Sequence, residues 1–175
     1  MKFFSDIRLL ILGLWLGAAV FFIGVAQTAF AVLPQRELAG AVVGSNLSLL
    51  NYSGLAIATL LILSSLVGGS IVNRIWLWVE RFLLLLLGAS CAGGQFVIGI
   101  WLSSVKAQMG RPIDEVAADD PLRIQFNMLH EYSVWVLFTG MIAAFLAFFI
   151  ITNRKFGAAK TSKADVYDFS KEFKI

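Results

Sequence analysis

Charge and reactive side chains are scarce in this chain. Of its 175 residues only 14% are charged, one is histidine, one is cysteine and three are proline. A single cysteine, Cys91, excludes an internal disulfide and any thiolate cluster for zinc. A single histidine, His130, excludes a two-histidine haem site within one chain. It also stands alone as a catalytic base, because no motif supplies the nucleophile and orienting group that a hydrolase needs beside it. The formal net charge is only +3, and the basic residues gather near the ends of apolar blocks. The bilayer explains that placement, and nucleic acid does not.

What the chain has in excess is apolar surface. Fifty-nine per cent of it is hydrophobic, against roughly 45–50% in soluble domains, which also carry about 25% charge. The excess lies in long blocks, the signature of membrane spans. At roughly 20 residues per crossing, the length holds four spans with short connections and leaves no room for a separate soluble domain. The predicted fold is all-α: a polytopic membrane four-helix bundle. Its spans fall at residues 7–33, 49–72, 75–105 and 121–152, in one transmembrane domain over 1–153, followed by a polar tail over 154–175.

Punctuation supports these bounds. The first block far exceeds the roughly 7–15 apolar residues of a signal peptide, so it reads as a retained span. Pro34 ends it. Leu38–Ser48, with Gly40 and Gly44, reads either as a short interfacial helix or as the extended start of the second span. Asn73 and Arg74 form a tight turn. Asp120-Pro121 reads as a helix start, with Asp at the N-cap and Pro at the first helical position.

Lysine and arginine placement predicts orientation. Lys2, Arg8, Arg74, Arg81, Arg154, Lys155, Lys160 and Lys163 fall on one side; Arg36, Lys106, Arg111 and Arg123 fall on the other. The richer side is cytoplasmic by the positive-inside rule, so both termini are expected inside, in a cytoplasmic (inner) membrane of the bacterial type. Trp76 and Trp78 would sit in one aromatic belt, Trp101 and Trp135 in the other. The tail mixes lysines with Tyr167, Phe169 and Phe173, a composition suited to anionic headgroups.

Three constellations stand out. Gly13 and Gly17 form a GxxxG pair extended by Gly24; such spacing lets helix backbones approach, inside the bundle or against another protein. Gly88 to Gln95, including Gly93 and Gly94, thins the third span over two turns. A bulky group must fill that groove: a neighbouring Phe by default, a lipid tail, quinone or pigment more rarely. Polar residues recur toward the outer half: Gln27, Asn46, Asn51 and Gln95, with Arg123, Asn127 and His130 on one face of the fourth helix and Glu131 beside it. At membrane depth these groups need partners, so they are expected to meet one another, as interhelical glue or as a solute or ion site. His130 is the only candidate axial ligand for a haem or chlorin, since Met128 points elsewhere on the helix. No cofactor is required by the sequence. At the other end, Glu80 needs a cation, with Arg8, Arg74 and the tail lysines as candidates, and Arg81 can snorkel to the interface.

Trp15, Gly17, Phe21, Phe22, Phe30, Leu33-Pro34, Gly40 and Val43, together with Phe126, Leu129-His130 and Ser133, resemble the transmembrane protein 205-like family. The likeness extends to about Thr152 and omits the tail. It implies four helices and a function that is not defined, with one member associated with platinum-drug resistance and trafficking. It implies no catalytic residue, and only the His130 region transfers as a position that matters. The expected function is therefore a non-enzymatic accessory or scaffold subunit contacting lipid and other membrane proteins. The alternative is a small-solute or metal-ion transport or resistance protein.

Overall fold

The computed structural model describes residues 2–67 and 74–153, and every element among them is helical. α1 spans Lys2–Val32 and α2 spans Arg36–Val67. α3 spans Arg74–Ala92 and runs through a π-helical segment, Gly93–Ile98, into α4, Gly99–Met109. A 3₁₀ turn at Ile113–Glu115 leads to α5, Pro121–Thr152. Among the described residues, four helices are long and apolar enough to cross a membrane: α1, α2, the continuous α3–α4, and α5.

The sparse prolines explain why these helices run unbroken. Pro34 separates α1 from α2, Pro112 precedes the 3₁₀ turn, and Pro121 occupies the first turn of α5, where its missing N–H costs nothing. Asp120 caps α5 as the sequence predicts, its carboxylate accepting from the Leu122 N–H at 2.8 Å. α4 ends at Gly110, whose φ of 62° is the left-handed conformation that stops a helix. Leu38–Ser48 resolves into the first three turns of α2, continuous with the rest of it. The expected turn residue Asn73 and the tail from residue 154 lie outside the described residues; Arg74 opens α3.

The helices form a ring: α1 packs on α2, α2 on α3, α3 and α4 on α5, and α5 back on α1. Neighbours run antiparallel. One end of the bundle, here the terminal end, holds the starts of α1 and α3; the other, the loop end, holds the α1–α2 and α4–α5 connections. The α2–α3 register is read from Arg81 on Ser65, Gly88 on Ala58, Cys91 on Gly54 and Gly94 on Asn51. As one residue number rises, the other falls by nearly the same step. The core joins Leu12, Trp15, Ala19, Leu61, Leu84, Leu87, Ala144 and Ala147. Small residues let α5 sit close, while large apolar side chains such as Phe21, Leu60, Phe82 and Trp135 point outward. A water-soluble bundle would not expose so many; lipid accommodates them.

Candidate functional site

Among the described residues, charge enters the core only at the terminal end. Arg8 lies about two turns into α1, and Glu80 lies about two turns into α3 on the diagonally opposite helix. Glu80 is fully buried and Arg8 nearly so. One Arg8 nitrogen, Nη2, donates to Glu80 Oε1 at 2.5 Å and to the Leu61 carbonyl at 2.9 Å, tying three helices at one point. A buried carboxylate is tolerated only with such a partner. Arg8 was one of the cations the sequence offered for Glu80. Arg81 differs from expectation. Rather than reaching for the interface with its whole head, it turns onto α2, where Nε donates to Ser65 Oγ at 3.0 Å and Nη2 to the Ser65 carbonyl at 2.8 Å.

The middle of the bundle holds a second polar set. Trp15 Nε1 donates to the Leu50 carbonyl at 3.0 Å. Beside it Gly54 marks the tightest crossing: a Cβ there would lie 2.6 Å from Cys91 Sγ and 2.7 Å from Trp15 Nε1. On its α2 side the thinned third span is met by Trp15, Ala58 and Leu55, not by a phenylalanine. Gly88 meets Ala58, and Ser90 meets Gly140. Cys91 is buried there as a small packing residue.

Asn51 is the unusual member of this set. It is only 6% exposed, yet its side chain makes no hydrogen bond among the described residues. It packs on Gly94 at the π-helical segment, with its amide nitrogen 3.3 Å from where a Gly94 Cβ would sit. The π turn is closed by the Gly99 N–H donating to the Gly94 carbonyl, and a Cβ on Gly99 would crowd that oxygen at 3.2 Å. A larger residue there would require that oxygen to give by a few tenths of an ångström. Single π turns inside α-helices concentrate at functional sites. Gln95, next along, donates weakly to Tyr52 Oη at 3.4 Å. The sequence put Asn51 at the outer end of its span; because α2 begins at Arg36, it sits at the midpoint.

The remaining residues expected in one polar cluster are placed separately. Gln27, Asn127, His130 and Glu131 are exposed, and among the described residues no side-chain hydrogen bond joins them to one another or to Asn51 or Gln95. Arg123, on the same helix, turns back to donate to the Val116 carbonyl. Asn46 bonds within its own helix, to the Val42 carbonyl. No group of three or more His, Cys, Asp or Glu that could hold a metal ion occurs among the described residues.

The glycines divide likewise. Gly13 faces the Phe148 ring and Gly94 faces Asn51, while Gly17, Gly24 and Gly93 have nothing within 4 Å of a would-be Cβ. Gly13 and Gly17, with Leu9, Leu14, Phe21 and Phe148, line an open apolar groove of about 650 Å³ along the outside of α1. A smaller groove of about 380 Å³ lies between the π segment and α5, lined by Ser90, Gly93, Val97 and Thr139.

A bundle of four spanning helices, apolar outside and with an ion pair locked within, defines an integral membrane domain. The chain belongs to the family described as Domain of unknown function (DUF4149), whose model matches residues 10–111, more than half of the sequence. That match ends before Phe126, Leu129-His130 and Ser133, so it does not carry the narrower transmembrane protein 205-like likeness. No curated protein and no solved structure matches the chain.

Proposed function

We propose that this protein is a non-enzymatic subunit of a larger membrane assembly, docking other membrane proteins along the outside of α1. The observation that carries this reading is the open groove at Gly13 and Gly17. Small residues there are not used to seat a helix of the chain's own bundle beyond Phe148. In lipid, close backbone approach at small residues is a main source of helix association. Both termini are read as cytoplasmic, in a bacterial-type inner membrane, from the lysine and arginine bias. The test is purification from native membranes, followed by identification of co-purifying proteins. Gly17→Leu is expected to lose the partner while leaving the helical content unchanged. A wild-type protein that runs as a lone monomer overturns the reading.

One observation favours a second reading, transport of or resistance to a small solute or metal ion: a buried, unbonded Asn51 at a π turn. The platinum-drug association implied by the transmembrane protein 205-like resemblance points the same way. Asn51→Leu, Gln95→Leu and His130→Ala should then lower uptake or tolerance. Wild-type behaviour in all three removes this reading.

A further inference from the structure

Arg81 has a fixed position and unused donors. A guanidinium carries five N–H groups, and the two bonds to Ser65 occupy two of them. The anchor is itself held, because Ser65 Oγ donates to the Ile62 carbonyl at 2.7 Å. Arg81 is half-buried at the seam between α2 and α3, so part of its side chain reaches the surface of the bundle. Its charge has no carboxylate partner among the described residues: Glu80, its sequence neighbour, is turned inward onto Arg8, and Asp6 forms no ion pair.

The surroundings indicate what chemistry meets it. Trp78, one turn earlier on the same face, is 62% exposed, and Phe82 beside Arg81 is 64% exposed. Trp76, Phe3 and Phe4 are exposed at the same end. Exposed indoles on a spanning helix mark headgroup depth. A guanidinium at that depth, presenting paired donors, matches a phosphodiester.

We propose that Arg81 holds the phosphate of an anionic phospholipid, with Trp78 and Phe82 against its glycerol and first acyl carbons. The bilayer's own lipid is the occupant that the charge, the depth and the apolar flanks fit together. A partner protein's acidic side chain would not need the indole beside it. The proposal is independent of whether the α1 groove binds a partner.

The test is native mass spectrometry of the full chain in detergent doped with phosphatidylglycerol or phosphatidylcholine. Wild-type protein is expected to retain one phosphatidylglycerol in preference to phosphatidylcholine. Arg81→Gln should weaken that retention about five-fold, the value of one basic group at an anionic surface. Arg81→Lys, which keeps the charge but loses the paired donors, should fall between wild type and Arg81→Gln, and Arg111→Gln at the loop end should behave as wild type. Trp78→Leu leaves the Ser65 anchor in place and should weaken retention in the same direction, which keeps the test valid if Arg81→Gln does not fold. Equal retention of the two lipids by wild type overturns the proposal. So does undiminished phosphatidylglycerol retention in either Arg81→Gln or Trp78→Leu.

Discussion

Two buried polar sites in this bundle have been solved in opposite ways. At the terminal end, Arg8 and Glu80 hold each other across the diagonal, and the Leu61 carbonyl takes a further bond. At the centre, Asn51 is buried almost as completely but packs on a glycine instead of pairing. Burial alone therefore does not tell a structural lock from a site kept open. The lock is where opposite charges meet across the bundle; the other position is where an amide makes no hydrogen bond among the described residues, beside a local break in helical regularity. The contrast predicts that removing a polar group should be ruinous in the first place and harmless to stability in the second.

The largest effect is expected at the lock. Glu80→Ala leaves the Arg8 charge buried alone and should cost about 3–5 kcal/mol, read by reversible unfolding in mixed micelles. Replacing both residues by leucine should recover most of that loss, since an apolar pair avoids the desolvation of two ions. If Glu80→Ala and the double leucine variant are equally unstable, the pair is not what holds the three helices. Next is the central crossing. Gly54→Ala should cost about 1–3 kcal/mol by overpacking against Cys91 and Trp15, and Cys91→Ala in the same chain should relieve part of it. No relief would mean that Trp15 alone sets the limit.

Asn51→Leu sharpens the comparison because little loss is expected. Removing an amide that makes no hydrogen bond among the described residues should change stability by no more than about 1 kcal/mol; a large loss would show that the amide has a partner after all. The smallest effects belong to the loop end. There Lys106 meets Glu37 at 3.3 Å and Arg36 meets Asp114 at 3.7 Å, all substantially exposed. Lys106→Gln should change stability by less than about 0.5 kcal/mol, and salt should erase even that.

The sequence made the four helices legible because their signal is one of length, and long uncharged runs have few other readings. Asp120-Pro121 was legible because a cap is local chemistry. The Arg8–Glu80 pair was half legible: the carboxylate required a cation, and Arg8 was one of several. What escaped depended on register. Gly40 and Gly44 weakened the helical signal over Leu38–Ser48, and the unresolved start of α2 displaced Asn51 from the middle to the edge. Register also decides that Trp15, and not a phenylalanine, packs at Gly54 and Cys91, on the α2 side of the thinned third span. The π turn carries no periodic signature, and only the Gly93-Gly94 pair with Gly99 hinted at a change of backbone. Spacing along α5 put Arg123, Asn127 and His130 on one face, but spacing along one helix cannot say whether another helix lies opposite it.

The diagonal ion pair has a consequence for how the protein is made. Its two halves are separated by 72 positions along the chain, so α1 and its arginine emerge well before the carboxylate on α3 exists. Until then Arg8 must keep its charge near the headgroups, which its place close to the helix start allows. The contact that ties the three helices can form only once the third span has arrived. An interrupted chain ending before Glu80 would carry Arg8 at the membrane edge without that carboxylate.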